Sequence, residues 1–202
     1  MRRQEKSLLM IGGSGHARVL IDCIVASERN LIGVLDPNLE KGSHVSGIRV
    51  LGGDQVLDDI SRDTVELVNG LGVLPGKRSR WDVGRTLGAK GYGFAVVVHP
   101  AAVVAGDVSL EPGAQIMAGC VLQSGVKVGC QSVVNTCGSV DHDTRIERNC
   151  WLSPGVTLCA DVHVKAGAYI GAGVTIIQDI SVGKGALVTA GSSITLDVPP
   201  SE

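Results

Sequence analysis

Aromatic residues are almost absent from this chain. Its 202 residues include one Phe, two Trp and two Tyr, while 44% of the chain is hydrophobic. A core this poor in rings is built from Val, Ile, Leu, Ala and Gly, which suits narrow, uniform layers packed to high density. Long apolar runs are also missing. Phe94 to Val98 and Val19 to Ile21 fall far short of the ~20 residues that a membrane-spanning helix needs. No excess of either charge appears: the formal net charge is −2, which leaves no basic footprint for nucleic acid and no polybasic membrane anchor. The six cysteines, Cys23, Cys120, Cys130, Cys137, Cys150 and Cys159, form no C-x-x-C pair. Zinc and thioredoxin-like readings are therefore weak, and free core thiols in a reducing cytoplasm are expected. The opening MRRQEKSLLMIGG has basic residues but too short an apolar run and no cleavage site. It reads as a tail before a first strand, not as a signal peptide.

What is present falls into two patterns, which divide the chain at residues 1–95 and 96–202. In the first, Lys6 to Ile11 reads as a short strand and runs into Gly-Gly-Ser-Gly-His, Gly12 to His16. An amphipathic helix should follow, with Val19, Leu20, Cys23 and Ile24 on one side. Strands are expected at Leu31 to Leu35 and Val65 to Asn69, and a helix at Arg78 to Lys90. Strand, helix, strand in this order predicts a small α/β domain, Rossmann-like, with a parallel sheet. A glycine-rich strand-to-helix turn lets backbone N–H groups approach a phosphate, and Asp36, about twenty residues on, can reach a ribose or base. The dinucleotide fingerprint is imperfect, because Arg18 stands where a third glycine would be. A nucleotide site of another kind fits better, with His16 and Arg18 as extra donors. The plainer alternative is that the glycines only make a tight turn.

The second pattern is a strict period of six. Starting at Val98, every sixth residue through Ile194 is a branched aliphatic, seventeen positions with no break. Four residues after each, the residue is small or medium (Val108, Ala114, Cys120, Val126, Ser132, Gly138), and glycine often precedes that position. A six-residue repeat of this kind predicts a parallel β-helix of hexapeptide type. One aliphatic points inward from each short strand, and each turn carries a small residue, often at positive φ. Three hexads complete a triangular coil, so residues 18 apart stack and each coil buries its face only against its neighbours.

One turn of this repeat carries chemistry. Val134 to Ile146 reads VNTCGSVDHDTRI, with His142 between Asp141 and Asp143. His142 should project from the prism, with only Ser124 and Ala160 stacked 18 residues away. Asp143 could hold a ring N–H, fix the tautomer and raise the basicity of the other nitrogen, as an orienting group does for a general base. A solvated histidine beside surface acids is the equal alternative on residues alone.

Four stretches together resemble the PglD/NeuD/PerB-like sugar acetyltransferases of the left-handed β-helix superfamily: the IGGSGHARVLID stretch that ends at Asp22, LDP at Leu35 to Pro37, VVHPAAVVA at Val97 to Ala105, and VNTCGSVDHDTRI. The resemblance covers nearly the whole chain. It implies a Rossmann-like nucleotide-sugar domain followed by a left-handed parallel β-helix, and an acetyl-CoA-dependent N-acetyltransferase acting on a nucleotide-linked amino sugar, of the 4-amino-4,6-dideoxy type, for glycan biosynthesis. It implies His142 as general base and Asp143 as its orienter. Gly13, Ser14, Gly15 and His16 are expected at the phosphates of the sugar nucleotide, Asp36 by the nucleoside and Asn135 near the acceptor amine. Ala160, Gly171, Ala172 and Ala190 match the coenzyme A groove, which such trimers place between subunits. The implied protein is a cytoplasmic homotrimer that needs no metal and binds neither nucleic acid nor membrane.

Two departures stand out. Several relatives carry a second histidine nine residues after the base; here that residue is Trp151, expected to shape the acetyl pocket. Relatives also run from a D-V-P-P segment into a short tail that grips coenzyme A, whereas Asp197 to Pro200 is followed only by Ser201 and Glu202; either the sequence is cut short here or donor binding rests on fewer contacts. O-acetylation of a sialic-acid-type sugar and a non-catalytic sugar-nucleotide-binding module remain the alternatives. A metal site of γ-carbonic-anhydrase type would need His99, His142 and His163 to converge.

Overall fold

The computed structural model describes residues 6–74 and 79–201. The chain divides into two compact units, Met1–Ala95 and Val96–Glu202. In the first, strands β1 (Ser7–Ile11), β2 (Leu31–Leu35), β3 (His44–Val45), β4 (Ile48–Gly52) and β5 (Val65–Asn69) form one sheet in the order β3-β4-β2-β1-β5. Helix α1 (Gly15–Ala26) joins β1 to β2, and α2 (Ser79–Ala89) follows β5. The central strand β1 buries Leu8, Leu9 and Met10 completely, as expected of a parallel strand covered on both faces.

Three expectations need correction here. The sheet is mixed, because β3 pairs antiparallel with β4. The cause is a tight turn at Ser46-Gly47, both at positive φ (46° and 82°), a pattern that joins short hairpin strands. Val19 is 44% exposed; the buried face of α1 is Ala17, Leu20, Ile21, Cys23 and Ile24, which keeps the i, i+3, i+4 spacing that Val19 breaks. The second helix spans Ser79–Ala89 among the described residues and so stops one residue before Lys90; the expected start, Arg78, lies outside the described residues.

The second unit is a three-sided parallel β-helix. Seventeen two-residue strands, from Val97–Val98 to Ser193–Ile194, form three sheets of six, five and six strands. Partners stand one coil apart: Leu122 pairs with Val140, and Val140 with Leu158. The repeating aliphatic is the second residue of each strand, and it is buried at every position from Ile116 to Val188. Two residues before it, Ala114, Cys120, Val126, Ser132, Thr144 and Cys150 are also buried, because residues i and i+2 of a strand share a face. The hydroxyls among them are satisfied by carbonyls of the next turn, Ser132 Oγ by Glu147 at 2.6 Å and Thr144 Oγ1 by Cys159 at 3.0 Å. Val98, Val104 and Leu110 in the first coil and Ile194 in the last are only half-buried, as terminal coils have one neighbour. Among the described residues no helix is long and apolar enough to cross a membrane.

Candidate functional site

In the N-terminal unit the chain builds outward from β1 to β2 and β4, then returns to β5 on the other side of β1. Ligands of open α/β sheets bind beyond the carboxyl ends of the strands where the order reverses in this way. Gly12 to His16 leave β1 at that end. Gly12 has φ 86°, which a side chain resists. At Gly13 a Cβ would come within 2.6 Å of Leu39. Ser14 precedes α1 with extended backbone and makes no side-chain capping bond. Ser14 and Gly15 are exposed and His16 is half-buried, and a Cβ on Gly15 would meet nothing within 4 Å. The loop therefore presents the start of α1, with the first-turn N–H groups that a helix leaves without internal acceptors, to open space.

Asp36 serves this loop directly. Its Oδ2 accepts the Gly13 N–H at 2.8 Å and its Oδ1 accepts the Asn38 N–H at 2.9 Å. The carboxylate thus ties the end of β2 to the glycine turn, and the Gly13 amide is engaged within the protein.

In the β-helix, His142 lies on the corner after the Ser139–Val140 strand, flanked by Asp141 and Asp143. The imidazole and the Asp143 carboxylate are both more than half exposed, and Nδ1 lies 2.9 Å from Asp143 Oδ2. An ionised carboxylate only accepts, so this contact is served when Nδ1 carries the proton and Nε2 is left basic. Asp141 Oδ1 accepts the His142 N–H at 2.8 Å and pins the backbone. The bond to Asp143 raises the His142 pKa above its ordinary value; loss of hydration opposes this, and the charges of Asp141, Asp143 and Asp161 add to the rise. One coil on, at the same corner, stand Cys159, Ala160 and Asp161. The Asp161 N–H donates to the His142 carbonyl at 3.1 Å. Ligating atoms of His142, Asp143 and Asp161 all lie within 4.8 Å of one another.

The matches to known proteins follow the same division. The PglD N-terminal domain model matches residues 7–81, and the bacterial transferase hexapeptide repeat matches residues 143–178. A histidine-to-asparagine variant of perosamine N-acetyltransferase from Caulobacter crescentus, solved with CoA and GDP-perosamine, is 29% identical. Its TM-score is 0.88, over 96% of this chain and 91% of that one. The acetyltransferase domain of PglB from Neisseria gonorrhoeae, in complex with acetyl coenzyme A, is 28% identical with a TM-score of 0.89, over 97% and 94% of the two chains. Over nearly its whole length the chain is similar to PglD- and PerB-like sugar acetyltransferases. WeeI from Acinetobacter baumannii, at 22% identity and a TM-score of 0.83 over 97% and 94%, shares the fold. No curated sequence matches the chain.

Of the site residues anticipated in the β-helix, all but Trp151 fall on two neighbouring corners of the prism. His142, Asp143 and Ala160 share one. Asn135, Gly171, Ala172 and Ala190 share the corner that precedes it, on the other side of the Ser139–Val140 face. Asn135 folds back, its Oδ1 accepting the Thr136 N–H at 2.8 Å. At Gly171 a Cβ would lie 2.4 Å from the Ala190 nitrogen, so the backbone of the next coil passes too close there for any side chain. Ala172 and Ala190 stack, the Ala172 carbonyl accepting the Gly191 N–H at 2.8 Å. Trp151 sits half a coil from His142, in the strand Trp151–Leu152 between Val133 and Tyr169, and is buried. The other two histidines of the metal alternative are placed apart. His99 accepts the Ala101 N–H on the corner that Asn135 shares, and His163, in a strand of another face, pairs with Glu147 at 2.9 Å.

Sequence reading missed Asp161, although its spacing of 18 from Asp143 was available. The stretch Asn69 to Lys77 was expected to line the nucleotide side, with no contacts assigned; Arg80, buried with Asn69 in the N-terminal unit, was missed, because no local pattern marks it.

Proposed function

We propose that this chain is an acetyl-CoA-dependent N-acetyltransferase of a nucleotide-linked amino sugar, of the 4-amino-4,6-dideoxy type, with His142 as general base. The observation that carries the reading is the 2.9 Å contact between His142 Nδ1 and Asp143 Oδ2 on an exposed corner of the β-helix. The perosamine N-acetyltransferase complex with CoA and GDP-perosamine supports the choice of donor and of acceptor class.

The chemistry follows from the residues. The amine nitrogen of the sugar attacks the thioester carbonyl of acetyl-CoA, and its proton passes to Nε2 of His142. Asp143 holds the opposite nitrogen protonated, so Nε2 is the atom that accepts, and Asp143 with Asp161 balances the imidazolium that results. Among the described residues the Ala160 N–H donates to no acceptor, which makes it the donor assigned to the tetrahedral oxyanion. Collapse breaks the C–S bond; the thiolate of coenzyme A takes the proton from His142, and the amide remains. Both substrates are held together, so no covalent enzyme intermediate is required. Asn135 is assigned to the acceptor amine, and Ala160, Gly171, Ala172 and Ala190 to coenzyme A, with Trp151 shaping the acetyl end.

In the N-terminal unit Ser14, Gly15 and His16 are assigned to the diphosphate. Gly13 and Asp36 hold that loop in shape, and Asp36 also faces the nucleoside. A homotrimer fits the placement of base and groove on two different corners, because neighbouring copies can bring the two together. Six free thiols fit a reducing cytoplasm.

The test is thiol release from acetyl-CoA with UDP-, GDP- and dTDP-linked 4-amino sugars, with free sialic acid alongside. Turnover with one amino sugar supports the reading and names its nucleotide. Turnover with sialic acid alone moves the chemistry to oxygen, and none with any acceptor removes the catalytic claim.

A further inference from the structure

The N-terminal unit buries a whole guanidinium, and the proposed acetyl transfer does not use it. Arg80, in the first turn of α2, is 1% exposed, and an arginine so placed is retained at a high cost in desolvation. Burial alone pushes its pKa down to about 9, so it stays charged at neutral pH. Its Nη1 donates to two carbonyls of one short turn, Asn69 O and Leu71 O, each at 2.7 Å. Asn69, also buried, closes the clamp in return. Its Nδ2 donates to the Arg80 carbonyl at 3.0 Å, and its Oδ1 accepts the Leu71 N–H at 3.3 Å.

The turn held in this way, residues 69–72, lies at the carboxyl end of β5, against the glycine loop. A Cβ on Gly70 would meet the Gly12 carbonyl at 2.8 Å, one on Gly12 would meet Leu71 at 2.6 Å, and one on Gly72 would sit 3.7 Å from His16 Cβ. The Gly70 N–H donates to Ile11 O at 2.7 Å, which stitches the turn to the end of β1. The peptide unit after Leu71 has its carbonyl on Arg80. In a trans peptide C=O and N–H point in opposite directions, and the chain has no cis bond among its described residues. The Gly72 N–H therefore faces away from Arg80, from an exposed residue beside His16 in the first turn of α1.

Resting on the nucleotide-sugar reading above, we infer that Arg80 is a positioning residue for the diphosphate. It turns the carbonyls of Asn69 and Leu71 inward, so that the 69–72 turn offers the Gly72 amide, and not oxygen lone pairs, to the anion at the start of α1. The fixed positive charge behind the turn adds to the same field without touching the ligand.

The test uses the full chain and four probes, UDP, GDP, dTDP and coenzyme A, by titration calorimetry, with thermal melting as the control for folding. Two variants are compared. Arg80→Lys keeps the charge and loses the fork. Gly72→Pro removes the amide and leaves both clamp side chains, Asn69 and Arg80, in the chain. The expected result is that both folded variants bind the preferred nucleoside diphosphate about 10-fold or more weakly, the scale of one hydrogen bond to a charged group, with affinity for coenzyme A unchanged. Should Arg80→Lys fail to fold, Gly72→Pro decides the matter alone. Wild-type nucleotide affinity in folded Gly72→Pro overturns this inference and leaves the nucleotide reading standing. A wild-type chain that binds none of the three diphosphates removes the nucleotide reading and this inference with it.

Discussion

Asp143 holds His142 from a left-handed backbone. Its φ is 59°, and from that conformation its carboxylate turns back to Nδ1 at 2.9 Å. The same turn position one coil earlier is Gly125, at φ 75°, and one coil later is Asp161, at φ 54°. Glycine takes such a φ without strain and an L side chain does not, so the acid at 143 works against local backbone preference. Asp143→Gly is expected to raise stability by up to about 1 kcal/mol and to lower the acetyl-transfer rate. Chemical denaturation and thiol release on the same preparation check both halves.

The pH dependence follows from the same pair. The His142 pKa is raised, first by its bond to Asp143, and only the neutral ring accepts a proton. kcat/KM should therefore fall as pH drops through the raised value, above the ordinary ~6.5 of histidine. Asp143→Ala removes the bond and the charge, so the acidic limb should move to lower pH. A limb that stays in place would take Asp143 out of the role given to it.

The corner at Gly171 leaves no room for change. A Cβ there would lie 2.4 Å from the Ala190 nitrogen and 2.7 Å from its Cα, backbone atoms that cannot step aside as a side chain can. Gly171→Ala is expected to cost about 1–3 kcal/mol, the usual price of overpacking, and to weaken coenzyme A binding. Denaturant midpoint and calorimetry measure the two effects.

Cys150 is an inert thiol. Burial is the main cause that pushes its pKa up to about 12, and the thiolate is the reactive form. A thiol reagent at pH 8 should leave Cys150 unlabelled in the native protein and modify it only on unfolding, as peptide mapping would show.

Much of this was legible because the β-helix repeats one packing rule. A single misplaced residue would have shifted every later aliphatic out of the core, so the unbroken series from Val98 to Ile194 fixed the strand register. β2 and β5 were equally plain, since their apolar runs end in turn residues, Asp36-Pro37 and Asn69-Gly70. The β3–β4 hairpin was missed because β3 has only two residues, although Ser46-Gly47 marked its turn. Val19 was misplaced because valine is apolar wherever it stands, and only the 3.6-residue period separates the faces of α1. His142 and Asp143 were readable as sequence neighbours. The tie from Asp36 to Gly13 and the clamp of Arg80 on Asn69 and Leu71 join residues that only the folded sheet brings together.

The central claim is that His142 accepts the proton of the attacking amine. The most direct measurement is the rate of thiol release by His142→Ala against wild type, on the amino-sugar nucleotide that wild type prefers, with the oligomeric state of both followed by light scattering. The account predicts a fall of about 10²–10⁴-fold, the span for losing a general base, with the oligomer's mass unchanged. A rate near that of wild type would contradict it.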